Sequence, residues 1–408
     1  MIGDLIRISI NFASILFLCA CCKNPQADIF THPDWETAIN TGTSEMIYYN
    51  GLPNLPGYKD IIIAHTTISD AGFWLEDNRL CAVNTTNGTI EWYFPSDIQN
   101  TRYCGFNANG YIFENKLVFQ YHKDARTYES RNRHSTVCID VETGNTIWEL
   151  TDDAVSDNPN NSKVEGFDDL CFFIHNKTKI YCYNISKNIV NEIYSSALPI
   201  SDFLCSDDKK IIVFSSMGVG EGDDYYNKNF VDIVDYESRT IDYHREITPS
   251  QKFNSFGYFA KGIYSNNILY VNVESYVAAI DVKNNIMLWE REDYWAHTLI
   301  DMYVYKNIVL KCGINATVAY DALSGDILYD YRDYGSWYTS IDKGYAYLLN
   351  RKLNLDIINI ENGSIQKTIS CKYQEQGEDF FGSYPVIRNS DLYIMSYKHL
   401  FRYKTPFN

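Results

Sequence analysis

The chain has 408 residues, 45% hydrophobic and 15% aromatic, with a formal net charge of −17. That acidic surplus excludes nucleic acid and anionic lipid as general partners, because both recruit basic surfaces. The apolar content suffices for a large buried core, and no segment carries the period of a long amphipathic helix.

The N-terminal stretch MIGDLIRISINFASILFLCACCK reads as an export signal, with Arg7 ahead of an apolar run from Ile8 to Leu18, then small residues and cysteines. The run is too short for a permanent span. Leu18-Cys19-Ala20-Cys21 resembles a bacterial lipobox, which implies cleavage before Cys21 and a diacylglyceryl anchor on that residue. Cys22 as acceptor is a poorer fit, since it would put Cys21 at the small-residue position; an ordinary cleaved secretory signal is the alternative. The expected division is a lipoprotein signal peptide over 1–20, a tether over 21–32 and a single domain over 33–408. The tether lacks the acidic run that some surface lipoproteins of the Bacteroidota carry after the Cys. The expected location is therefore the outer membrane, facing the periplasm, with the cell surface as the alternative.

From Ile61 onward, short β-forming segments alternate with turn residues: IIIAHTTI (61–68), KLVFQYH (116–122), LCFFIHN (170–176), KIIVFSSM (210–217), NILYVNV (267–273), NIVLKCG (307–313) and YAYLLN (345–350). Each precedes a copy of one eleven-residue pattern: AVNTTNGTIEW from Ala82, CIDVETGNTIW from Cys138, CYNISKNIVNE from Cys182, IVDYESRTIDY from Ile233, AIDVKNNIMLW from Ala279, AYDALSGDILY from Ala319 and IINIENGSIQK from Ile357. The starts lie 38 to 56 residues apart, the period of radially arranged or stacked units built from short strands.

The columns of the pattern agree with one another. Position three is always Asn or Asp (Asn84, Asp140, Asn184, Asp235, Asp281, Asp321, Asn359), whose side chain can accept a backbone hydrogen bond from two residues ahead and so end a strand in a turn. Position seven is Gly88, Gly144, Asn188, Arg239, Asn285, Gly325 and Gly363, mostly residues that tolerate positive φ. Position eleven carries Trp92, Trp148, Tyr243, Trp289 and Tyr329, with Glu192 and Lys367 as exceptions; a ring recurring once per unit can pack on the neighbouring unit. Trp92, Trp148 and Trp289 are expected to be buried.

These segments resemble the repeats of the quinoprotein-like (PQQ-like repeat) β-propellers, whose hallmark is Ala-x-Asp-x-x-Thr-Gly-x-x-x-Trp between the last two strands of a blade. Cys138 to Trp148 and Ala319 to Tyr329 match it best. The resemblance implies an all-β fold of four-stranded antiparallel blades. An eighth unit begins with YPVIRNSDLYIMSY (384–397) and HLFRYKT, after which no outer strand follows. PDWETAIN (33–40), with Trp35 and alternating residues, can supply that strand and close the ring. Eight blades are expected, seven being the alternative.

The resemblance also bears on chemistry. Quinoprotein alcohol dehydrogenases hold their cofactor against a disulfide of adjacent cysteines, with acidic and Asn ligands for calcium. The only adjacent pair here, Cys21-Cys22, belongs to signal and tether, so no cofactor is expected and dehydrogenase activity is a remote alternative. Cys138 and Cys182 stand where other copies have Ala or Ile, which makes them small core residues. The eight histidines form no HExxH or other ligand pair, and no CxxC occurs in the propeller. The loops 218–229, with Glu221, Asp223, Asp224 and Asn227, and 151–163 read as solvated hairpins; the former offers oxygen ligands of the kind calcium accepts, without EF-hand spacing.

No catalytic, cofactor-binding or metal-binding residue is therefore expected. What remains is a non-enzymatic envelope lipoprotein that binds a protein complex as a scaffold. In anchoring and repeat type it resembles the propeller lipoprotein of the outer-membrane barrel-assembly machinery. The alternative is a glycan-binding or glycan-handling lipoprotein. A glycan site should expose aromatics near one rim, with Trp74, Trp295 and Trp337 as the rings outside the repeat column, whereas a scaffold should show an apolar patch or free strand edge.

Overall fold

In the computed structural model the described residues are 29–30, 33–39, 57–68, 77–96, 105–122, 134–151, 163–206, 208–219, 226–247, 261–273, 276–292, 299–313, 316–331, 339–350, 352–374, 380–396 and 398–405. Their strands form eight sheets, the blades of a β-propeller. Blades 2 to 7 span 105–151, 164–195, 200–247, 261–292, 299–331 and 339–369, each with four antiparallel strands in sequential order. Blade 1 is described by three, Ile61–Ile68, Asp77–Asn84 and Ile90–Phe94. The first strands of neighbouring blades touch one another, from blade 2 through blade 6 and again from blade 7 to blade 8, so they line the axis of the ring.

Blade 8 joins the two ends of the chain. Val386–Arg388, Asp391–Met395 and His399–Lys404 form its inner three strands, and Trp35–Ala38 adds the outer one, with Trp35 opposite Arg402 and Ala38 opposite His399. The N-terminal segment thus supplies the strand that the C-terminal unit lacks, and eight rather than seven blades result. Glu36 fixes it further, accepting from Lys372 Nζ at 3.0 Å and from the Tyr373 hydroxyl at 2.8 Å. The two residues Ile29–Phe30 pair parallel with the outer strand of blade 7, a fifth strand that the sequence pattern does not announce.

The core is divided among the seams between blades. Eight apolar clusters occupy the eight seams, for example Trp92, Leu117 and Val137 between blades 1 and 2, and Ile62, Val83, Tyr393 and Leu400 between blades 8 and 1. Alternation along each strand sends successive side chains to opposite seams, so both faces of every blade are apolar. This is where the tyrosines go: Tyr183, Tyr276, Tyr320 and Tyr347 are among the largest fully buried side chains.

Candidate interaction surface

The turn between the last two strands is built alike in all seven copies. The position-three carboxylate or amide oxygen accepts a backbone N–H two or three residues ahead: Thr86 on Asn84, Glu142 on Asp140, Lys187 on Asn184, Ser238 on Asp235, Asn284 on Asp281, Leu323 on Asp321 and Glu361 on Asn359, at 2.8 to 3.0 Å. These donors hold the carboxyls of Asp281 and Asp321 below the usual range, through the N–H groups of Asn284 and Ser324 respectively. The Lys210 ammonium does the same for Asp235. Position seven has positive φ in every copy, from 53° at Asn285 to 77° at Gly88, and includes Arg239 at 58°.

The position-seven turn is also a docking platform. A Cβ on Gly144 would lie 2.8 Å from the Trp92 ring, and one on Gly325 would lie 2.5 Å from the Trp289 ring. Each indole then donates to the position-four carbonyl of the next blade: Trp92 to Val141 at 2.8 Å and Trp289 to Ala322 at 3.0 Å. Tyr329 follows with its hydroxyl on Ile360 at 2.6 Å. Trp35 completes the circle, lying against Gly88 and donating to the Thr85 carbonyl at 3.0 Å. Trp92 and Trp289 are buried, but Trp148 is only half-buried, contrary to expectation. Its receiving turn has Asn188 instead of Gly, the Ile185 carbonyl takes Lys116 Nζ at 3.1 Å, and Tyr183 meets the indole edge-on at 4.7 Å.

In six blades a β-bulge falls at position ten, immediately before the aromatic column, at Glu91, Ile147, Asp242, Leu288, Leu328 and Gln366. The extra residue re-aims the next side chain, which turns the ring onto the neighbouring blade. Blade 3 has lost the aromatic, since Glu192 stands there, and its bulge has moved to Ile193. Tyr194 then faces blade 4, where its hydroxyl bonds Asp232, and Asp232 in turn holds Nδ1 of the exposed His244 at 2.5 Å.

Outside the seams, the exposed large apolar residues are all aliphatic or Met, and most lie on outer strands: Ile147 in blade 2, Ile189 and Val190 in blade 3, Ile241 in blade 4, Ile286 and Leu288 in blade 5, Ile327 and Leu328 in blade 6. With Leu323 in the adjoining turn at 63% exposure, those of blades 3 to 6 make an apolar belt around the rim. Among the described residues these outer strands have no further strand beyond them, so their backbone edges are open. No Trp, Tyr or Phe whose side-chain burial is described is exposed. Trp74, Trp295 and Trp337 lie outside the described residues, as do Cys21, the signal and most of the tether, and residues 220–225 of the acidic loop.

The seven described cysteines carry no disulfide. Burial pushes the Cys81, Cys138, Cys182 and Cys312 thiols up to about 12, so they stay protonated and inert. Among the described residues no group of three or more His, Cys, Asp or Glu is placed to hold a metal ion. Neither the position-ten bulges nor the open rim is marked by a residue type, which is why the sequence pattern misses them; the aliphatic residues at positions eight to ten are the one signal that precedes the rim.

No protein-family profile and no curated protein matches the chain. Among solved structures, it is similar to BamB from Moraxella catarrhalis, with 12% identity and a TM-score of 0.56 over 91% of this chain and 99% of that one. It is equally similar to the computationally designed Ika8 protein, with 8% identity and a TM-score of 0.56 over 90% and 99%. At such identities the likeness establishes one thing: the chain folds as a BamB-like β-propeller.

Proposed function

We propose that the protein is a non-enzymatic scaffold lipoprotein of the bacterial envelope, anchored at the outer membrane through Cys21, that holds a protein partner on the rim of blades 3 to 6. The carrying observation is the belt of exposed aliphatic residues along open outer strands, with no exposed aromatic among the residues whose side-chain burial is described. Glycan sites stack sugar rings on exposed aromatics, whereas apolar strands with free edges suit protein contact. The ring itself offers a precedent for the kind of segment accepted: Ile29–Phe30, apolar and extended, is laid along the outer strand of blade 7. The similarity in fold to BamB and the lipobox fit an envelope protein with protein partners.

The test is site-directed photocrosslinking from positions 288 and 328 in intact envelopes, compared with a quadruple Ser variant at Ile286, Leu288, Ile327 and Leu328. All four are exposed, so each exchange should leave stability within about 0.5 kcal/mol. A discrete crosslinked partner, retained by wild type and lost from the variant, supports the assignment. Crosslinks absent from the rim, or a partner that binds the variant equally, would refute it. A Cys21→Ala protein found in the soluble periplasmic fraction would support the anchor; one still in the membrane would overturn it.

A further inference from the structure

The first strands carry a set of ionisable side chains to one end of the axis. Lys163 precedes the first strand of blade 3, Glu165 lies on it, and Asp202, Lys261 and Asp301 lie on those of blades 4, 5 and 6. Lys163 Nζ reaches Glu165 Oε1 at 2.8 Å and Asp202 Oδ1 at 3.1 Å. Burial opposes its charge, but Asp202 and Glu165 outweigh that and hold the ammonium protonated well above the usual lysine range. Glu165 has spent its second oxygen on the Cys205 N–H at 2.8 Å, and Asp202 Oδ1 also accepts the Phe203 N–H at 2.8 Å.

Asp301 is not so provided for. Its Oδ2 is buried without a hydrogen-bond partner. The neighbouring Tyr303 hydroxyl donates to the Thr339 carbonyl at 2.8 Å. Burial pushes the Asp301 carboxyl up to about 6, against the pull of Lys261, Lys163 and the neighbouring Tyr303 hydroxyl. The residue as a whole is only partly exposed, and its carboxylate turns about a soft two-fold torsion, so either oxygen can be presented to the axis. Three carboxylates therefore face two ammoniums: Lys163 is bonded to two of them, and Lys261, the stronger attraction on Asp301, leaves its Oδ2 unbonded.

We propose that this end of the channel binds a primary ammonium group, with Asp301 as its counter-ion. Asp301 offers a single unbonded oxygen, which suits a compact ammonium better than the planar fork of a guanidinium. A metal ion would need a ligand group that the described residues do not form. The protein's net charge of −17 draws cations towards such a site. The ammonium can come from a lysine side chain entering the channel or from a free diamine. This site is separate from the rim and does not depend on its role.

Two probes distinguish the sources: 1,4-diaminobutane, and an acetylated, amidated Gly-Lys-Gly peptide with its Gln counterpart as control. Calorimetric titration of the full mature protein should detect one of them, and Asp301→Asn should weaken it about tenfold. Binding should also strengthen from about pH 5 to about pH 7.5 as Asp301 ionises; the other charged or titratable groups facing it are Lys163, Lys261, Asp202 and Tyr303, with Cys312 and Tyr384 beyond. Lys163→Met, which removes the competing internal ammonium, should tighten the probe and gives a second reading should Asp301→Asn fold poorly. Equal binding by wild type and Asp301→Asn, weaker binding by Lys163→Met, or no heat from either probe up to about 10 mM would overturn the proposal.

Discussion

Gly144→Ala tests how the blades are locked together. The substitution adds one methyl group at a backbone φ of 71°, where it would lie 2.8 Å from Trp92 Cδ2 and 2.9 Å from Cε3. The left-handed conformation costs Ala about 1 kcal/mol relative to Gly, and crowding a packed ring adds about 1–3 kcal/mol, for a total of about 2–4 kcal/mol. With an unfolding entropy of about 2.1 cal/mol/K per residue over roughly 370 residues, that corresponds to a fall in Tm of about 3–5 °C. Urea unfolding followed by tryptophan fluorescence measures the free-energy change directly. The Trp92→Ala background separates the two contributions: with the ring gone, Gly144→Ala should cost only the conformational share of about 1 kcal/mol. If the full cost persists without the ring, the close approach is not what demands glycine, and the account of the docking platform is wrong.

Three other outcomes follow from the same geometry. Trp35→Ala removes the closing ring from Gly88 and the indole bond to Thr85, and should cost about 2–3 kcal/mol, less than a fully buried Trp because Trp35 is half-buried. Limited proteolysis should then cut first in the N-terminal strand; unchanged protease resistance would argue against its role in closure. Arg239→Gly should raise the unfolding free energy by about 0.5–1 kcal/mol, and with it the urea midpoint, since the exposed side chain is held at a φ of 58°; a lower midpoint would contradict this. The turn carboxylates Asp281 and Asp321 have folded pKa values below their unfolded ones, so their contribution is complete above about pH 4 and is lost as pH falls through that region towards the folded values. Asp321→Asn keeps the turn acceptor, as Asn84 and Asn359 do, and should flatten the acid limb of the stability profile; an unaltered limb would place the acid sensitivity elsewhere.

The parts of this fold that are legible in the sequence are those specified by residue type. An Asx column, a column tolerant of positive φ and an aromatic column mark the turns and their docking partners, and the unpartnered C-terminal unit together with Trp35 foretells the closure. The bulges are not legible, because a bulge is a relation between two strands; Glu91, Leu288 and Gln366 share the position and no chemistry. Blade 3 shows the limit well: Glu192 reads as a lost aromatic, whereas the shifted bulge returns the role to Tyr194 two residues on. The Lys163–Asp301 cluster is equally hidden, since its members lie on different blades and become neighbours only around the axis.

The pairing of Trp35 with Arg402 has a consequence for how the molecule comes into being. The Trp35 strand has no partner until a residue 367 positions further along the chain, Arg402, has been made. The described strands of the other blades can assemble from sequential hairpins, so the slow, long-range events are the two pairings of the N-terminal segment, with blade 8 and with the edge of blade 7. A circularly permuted domain, opened between blades 4 and 5 and with Thr405 linked to Pro33, would make the blade 8 pairing a local one. It should reach the same ring faster, with the closing step transferred to a seam that normally forms early.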